Sequence, residues 1–224
     1  MALVPGTLPG SIAWELEATI RAILKNASPA NKPDRAACGP RTRDLKGPTM
    51  PHPGMPFNQG GCLCGSVRYA TRSEPLRVTY CHCRFCQRAT GSAYMVEPIF
   101  HRTCFEIISG KPTTYTQASE GSGKRVTINF CSTCGTKLFL DLERFPEIFG
   151  VYGGTFDDPN CFDRTPQTSR HIFLNSAQKG TVIPAGFSAF LEHAMLNDGT
   201  PVRPLILEQP HTIRETLPTP QHSG

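Results

Sequence analysis

The sequence predicts a mainly β domain of short strands, flanked by two irregular segments. Two observations carry that fold class. From Gly60 to Gly153, short β-branched and aromatic runs alternate with turn residues. Seven of the ten cysteines fall into three tight groups, each beside one end of such a run. A third observation is an exclusion: no apolar run approaches the ~20 residues of a membrane-spanning helix, so no membrane partner is expected.

Taken in order, residues 1–56 read as a flexible leader, because prolines and glycines dominate from Ser28 to Pro56. One short helix fits inside it. Ser11 can cap a run in which Ile12, Leu16, Ile20, Ile23 and Leu24 recur at near-helical spacing. Residues 57–196 form the domain. Its predicted strands are Ser66 to Ala70, Leu76 to Tyr80, Ala93 to Phe100, Phe105 to Ser109, Lys124 to Phe130, Thr136 to Leu142 and Ile148 to Gly153. A short helical turn is expected from Arg84 to Thr90, and a closing helix from Ala185 to Leu196. Residues 197–224 are proline-rich and read as a surface strap that frays toward Gly224.

The formal charge of +5 is modest for 224 residues, and its Lys and Arg are scattered rather than blocked. That argues against a nucleic-acid or anionic-lipid partner and is compatible with a small anionic substrate. The start, MALVPGTLPG, has no basic stretch leading into a long apolar run, so a secretory signal is not predicted and a cytoplasmic setting is. In a reducing setting, paired cysteines point to metal rather than to disulfides.

The groups are Cys62 and Cys64 in GGCLCGS, Cys81, Cys83 and Cys86 in YCHCRFCQ, and Cys131 and Cys134 in FCSTCGTKLF. A turn at a strand end can aim two thiolates at one point, with Gly65 and Gly135 permitting the tight backbone. Zinc prefers four tetrahedral thiolates, so Cys62, Cys64, Cys131 and Cys134 are expected to make a closed, structural site. The two pairs lie far apart in the chain, so binding would couple metal to folding. Cys81, Cys83 and Cys86 leave a tetrahedral ion one ligand short, as catalytic zinc sites do. His82 is the alternative fourth ligand. In an extended stretch, however, its side chain points away from those of Cys81 and Cys83. Two zinc ions per chain are expected, one structural and one catalytic. Cys38, Cys104 and Cys161 have no partner motif and read as ordinary structural or surface cysteines.

The motifs GGCLCGSVRYA, CHCRFCQRATGS, FCSTCGTKLF and GGTFDDP, in that order, resemble the glutathione-dependent formaldehyde-activating enzyme family, which includes the centromere protein V group. The resemblance runs from Phe57 to His193. It implies an Mss4-like β fold with two zincs, the four-cysteine set structural and the three-cysteine set catalytic. It also implies a carbon-sulfur lyase that adds glutathione to formaldehyde, giving S-hydroxymethylglutathione. Glutathione and an aldehyde would then be the small-molecule partners.

Two other functions stay open at this level: a zinc lyase or hydrolase with a different substrate, and a non-catalytic zinc-stabilised protein-binding module. The open three-cysteine set disfavours the module. Arg84 and Arg88 are candidates to meet glutathione's carboxylates, against the alternative of a solvated helix face. Thr90, Gly91 and Ser92 could donate hydrogen bonds beside the metal, but a turn leading into the next strand is the simpler reading. Asp157 and Asp158, beside Gly153, Gly154 and Pro159, read as turn formers rather than an acid-base pair.

Overall fold

The computed structural model describes residues 57–214, and the helix expected near Ser11 lies outside them. A nine-stranded sheet is the frame of the fold. It is built from β3 (Arg77–Cys81), β4 (Met95–His101), β6 (Thr113–Ala118), β7 (Arg125–Phe130), β8 (Lys137–Leu142), β9 (Ile148–Val151), β10 (Ser169–Ile172), β12 (Ser188–Ala189) and β13 (Leu205–Ile206). Their spatial order is β13-β12-β10-β3-β4-β9-β8-β7-β6. A second sheet holds β1 (Asn58–Gly61), β2 (Arg68–Thr71) and β5 (Phe105–Ser109), and a small ribbon pairs β11 (Val182–Ile183) with β14 (His211–Thr212). The chain is mainly β, as the run pattern predicts.

Burial explains the order. Every residue of β9 is buried, as a central strand covered on both faces requires. β6 is almost wholly exposed and carries the polar run TTYTQA, which suits an edge. The two faces of the large sheet carry separate cores. On one, Val78, Phe100, Phe149 and Val151 meet Val67, Tyr69 and Phe105 of the three-stranded sheet. The Phe105 ring lies 4.8 Å from that of Phe139 and 5.1 Å from that of Phe149. Each such ring contributes about 1.5–3 kcal/mol through burial. On the other face, Cys81, Met95, Tyr152 and Ile172 pack with Cys86 and Ala89 of the helix α1 (Arg84–Thr90), and with Phe190 and Ala194.

The helix expected from Ala185 to Leu196 does not form. Gly186 sits at φ +81°, a left-handed conformation that ends any helix there. Ser188 and Ala189 pair with Arg170 and His171 in parallel register instead. The backbone N–H groups of Phe173, Leu174 and Asn175 then donate to the carbonyls of Glu192, Phe190 and Leu191. Long-range pairing takes the hydrogen bonds that a helix would have needed locally. The proline-rich strap is likewise tied down, adding β13 to the large sheet and β14 to the ribbon.

Candidate metal centres

Each cysteine group sits where a strand stops. Cys62 and Cys64 follow β1, Cys131 and Cys134 follow β7, and Gly65 and Gly135 take φ +76° and +73° in their turns. The turns close alike, with Gly65 N–H donating to Cys62 O and Gly135 N–H to Cys131 O at 3.0 and 2.9 Å. The four sulfurs converge to within 4.8 Å of one another. Cys62 Sγ lies 3.5 Å from Cys64 Sγ, which is 3.7 Å from Cys131 Sγ. A tetrahedron of Zn–S bonds of about 2.3 Å has edges of about 3.8 Å. These two spacings are close to that edge.

Hydrogen bonds prepare the thiols to ionise. Thr136, whose hydroxyl is 3.1 Å from Cys134 Sγ, lowers that pKa to about 5. Ser66 pulls Cys64 down in the same way.

The second group is built from one short segment. Cys81 ends β3, Cys83 caps α1, and Cys86 lies one turn into it. Their Sγ atoms also lie within 4.8 Å of one another, with Cys81 and Cys83 3.5 Å apart. The Cys83 sulfur accepts from the Cys81 thiol and from the Cys86 N–H at 3.4 Å. Cys83 is thereby the most acidic of the three, while its two thiol neighbours are pushed up as donors to it and by burial. Among the described residues no fourth His, Cys, Asp or Glu joins them.

His82 is fully buried and faces elsewhere. Its Nε2 meets His171 Nδ1 at 3.1 Å, and the His171 ring stacks on Tyr80 at 4.5 Å. Burial holds both imidazoles down at about 4, so the pair is neutral at physiological pH. Gln87 braces the same loop from the helix: its Nε2 donates to His82 O at 2.6 Å and to Ser176 O at 2.7 Å. Neither His171 nor Gln87 was singled out by sequence reasoning. Gln87 lies inside the cysteine motif, but its partner Ser176 is 89 residues away. No local pattern announces that contact.

The remaining candidates fall out as follows. Arg84 donates to Gln87 Oε1, and Arg84, Gln87, Arg88, Gly91, Ser92, Ala93 and Gln178 line an open polar cleft of about 270 Å³. The cysteines are not part of its wall. Thr90 donates to Cys86 O at 2.7 Å and Ser92 to Tyr94 O at 2.5 Å, as turn residues do. Asp157 forms a two-pronged pair with Arg68, and Asp158 accepts from Asn160 N–H at 2.8 Å in a tight turn. Cys161 is a half-buried free thiol, whereas Cys104 is buried and disulfide-bonded. Cys38 lies outside the described residues.

The model of the family described as glutathione-dependent formaldehyde-activating enzyme matches residues 57–176, which hold both cysteine centres. The chain belongs to this family. A Halomonas elongata protein that carries the same family name is 26% identical over 102 residues, covering 44% of this chain and 65% of that relative's length. A crystal structure of a Rhodobacter sphaeroides protein is similar at 23% identity and a TM-score of 0.38, covering 46% of this chain and 90% of that one. The matched family segment ends at Ser176, so Phe190 and Ala194, which close the core beside the three-cysteine centre, lie beyond it.

Proposed function

We propose that this family member adds a glutathione-class thiol to formaldehyde at the Cys81, Cys83, Cys86 centre, with zinc there and a second, structural zinc at Cys62, Cys64, Cys131 and Cys134. The observation that carries the reading is the convergence of three sulfurs, those of buried Cys81 and Cys86 and half-buried Cys83, while the adjacent His82 is committed to His171. In the reaction a carbon-sulfur bond forms, the carbonyl π bond breaks, and the thiol proton ends on the new hydroxyl. Run backward, that is a carbon-sulfur lyase. Zinc, when bound there, supplies Lewis acidity and acidifies a coordinated thiol or water.

The chain's own contribution is placement. Gln87 and His171 brace the loop from outside and so hold the three sulfurs near one another before an ion arrives. The apolar wall of Met95, Ile172 and Phe190 limits water at the reacting atoms. The family name supports glutathione and formaldehyde as substrates.

The test combines zinc content per chain with the initial rate of S-hydroxymethylglutathione formation, corrected for the spontaneous reaction. About two zincs are expected, with a rate that vanishes in Cys83→Ser. Two zincs with no rate above background in the wild type would remove the thiol-formaldehyde reading and leave the metal sites standing.

A further inference from the structure

The face of the sheet that carries Cys81 also carries charged side chains for which the proposed chemistry has no use. Register sets Arg170 of β10, Thr79 of β3 and Glu97 of β4 side by side. Arg77 lies two residues before Thr79 and Cys81 two after, so all three share one face of β3. Adjacent strands lie about 4.8 Å apart, so long side chains flank the short, buried Thr79 at about 10 Å between their backbones. Thr79, itself buried, is the short side chain between Arg170 and Glu97. Gly150 makes room for Glu97: a Cβ added there would lie 1.9 Å from Glu97 Oε1, so the carboxyl rests over bare backbone.

Among the described residues the two arginines on this face are without ion-pair partners: neither Arg77 nor Arg170 lies within ion-pair distance of Glu97 or of any other carboxylate. The Nε of each is buried without a hydrogen-bond partner, and so is the Tyr152 hydroxyl, which belongs to the same core as Cys81 and Cys86. Burial first and the Arg77 charge second pull Arg170 down to about 9, with Glu97 offsetting only part of this. Thr79 lies two residues before Cys81 on the same face of β3, which places Arg170 and Glu97 one step along the sheet from the three-cysteine centre. Buried donors without acceptors are rare in native proteins. Glu97 and Glu147 act on Arg77 without pairing with it, and the Arg170 guanidinium lies over the Phe190 ring, so the unfilled donors of both still suit an anion with two acceptor oxygens, of which the carboxylate matches the guanidinium fork.

We propose that Arg77 and Arg170 form a carboxylate-binding site beside Thr79 that holds an acidic group of the thiol substrate whose sulfur reacts at the Cys81, Cys83, Cys86 centre. The identity of that substrate rests on the thiol-formaldehyde reading, but the site itself is testable without turnover. Glu97 then excludes a second anion and favours a zwitterionic group, an ammonium beside the carboxylate.

The test is calorimetric titration of the zinc-loaded full chain with S-methylglutathione, whose thioether offers no thiolate to a metal, and with its diethyl ester. The acid is expected to bind and the ester to bind at least about tenfold more weakly, as loss of charge-assisted hydrogen bonds predicts. Arg170→Gln and Arg77→Gln should each weaken the acid about 10- to 100-fold and leave the ester unchanged, with partial recovery in Arg170→Lys. Circular dichroism checks folding, and if Arg77→Gln does not fold, the Arg170 pair and the ester comparison still decide. Equal binding of acid and ester, no binding of the acid to the wild type, or arginine variants that bind the acid normally would each overturn the proposal. Variants that lose one zinc yet bind the acid normally would mark the arginines as counter-charges to the metal centre, which also overturns it. Failure of the thiol-formaldehyde reading looks different: the acid binds and its ester does not, yet glutathione and formaldehyde react at the spontaneous rate.

Discussion

The two cysteine centres gather sulfurs at the same 3.5 Å spacing by opposite means. The four-cysteine centre joins turns 67 residues apart, one at the end of β1 in the three-stranded sheet and one at the end of β7 in the large sheet. Its Cys64 is exposed and Cys134 only half-buried. The three-cysteine centre comes from six consecutive residues, with Cys81 and Cys86 buried in a core and Cys83 half-buried against it, and is held by a buried histidine and a buried glutamine. Where ligands come from distant parts of the chain, a bound ion would add cohesion between them; where six residues, a histidine and a glutamine already hold the sulfurs, a bound ion would be free to serve chemistry.

If that contrast is right, breaking the long-range centre has the larger effect. Structural zinc sites contribute about 10–16 kcal/mol of apparent binding energy in small zinc modules, against a whole-domain stability of about 5–15 kcal/mol. Cys131→Ser is therefore expected to abolish cooperative folding, read as loss of the thermal transition and of both zincs. A chelator strong enough to strip both ions from the wild type should do the same. A folded Cys131→Ser chain with one zinc would end the assignment of cohesion to this centre.

Cys83→Ser probes the other centre. Cys83 is the N-cap of α1, its sulfur accepting from Cys86 N–H, and serine is a strong N-cap residue. The substitution should remove about one zinc and all activity, with the fold retained. Cys83→Ala removes the cap as well and should cost about 1 kcal/mol more, visible as a lower denaturant midpoint than that of Cys83→Ser. Damage equal to that from Cys131→Ser would contradict the division between the centres.

A smaller effect is expected at the brace. Gln87→Leu leaves the carbonyls of His82 and Ser176 without their donor, at about 1–3 kcal/mol for each group that stays buried. Losing a hydrogen bond that holds ligand-bearing backbone in place changes metal affinity by about 10- to 100-fold. Chelator competition should therefore show faster zinc loss from the three-cysteine centre alone, with the four-cysteine centre unchanged. Equal loss from both would reduce Gln87 to a generic packing residue.

The contrast between the centres also decides what could be read in the sequence. All seven ligand candidates were legible, because turn geometry fixes C-x-C and C-x-x-C spacing locally. Phe105 to Ser109 and the helical turn from Arg84 to Thr90 coincide with observed elements for the same reason. Strands that lack a strong run, such as β6 with its polar TTYTQA and the two-residue β12, were not legible. The stretch from Ala185 to Leu196 has enough apolar residues for a helix, but its hydrogen bonds go to residues 171–175, a choice made by tertiary structure. Gln87 and His171 stayed hidden because each acts through a partner 89 residues away.

The smallest effect concerns the surface pair that also spans the four-cysteine face. Arg68, paired with Gly61 just before Cys62, holds Asp157 in a two-pronged contact that keeps the carboxyl below its usual range. A carboxylate with a depressed folded-state pKa stabilises fully above its unfolded value of about 4 and loses that contribution as pH falls through the folded value. More than half of the Asp157 side chain is exposed, so solvent and salt screen the pair to less than about 1 kcal/mol. Asp157→Asn should therefore lower the denaturant midpoint only slightly at pH 7. The difference from wild type should vanish in 1 M salt and shrink below about pH 4. Acid also protonates the thiolates and releases metal, so the difference between the two proteins, rather than either curve alone, isolates the carboxylate. A large loss of stability in Asp157→Asn with both zincs retained would mean that the ion pair, and not the four thiolates, joins the two sheets.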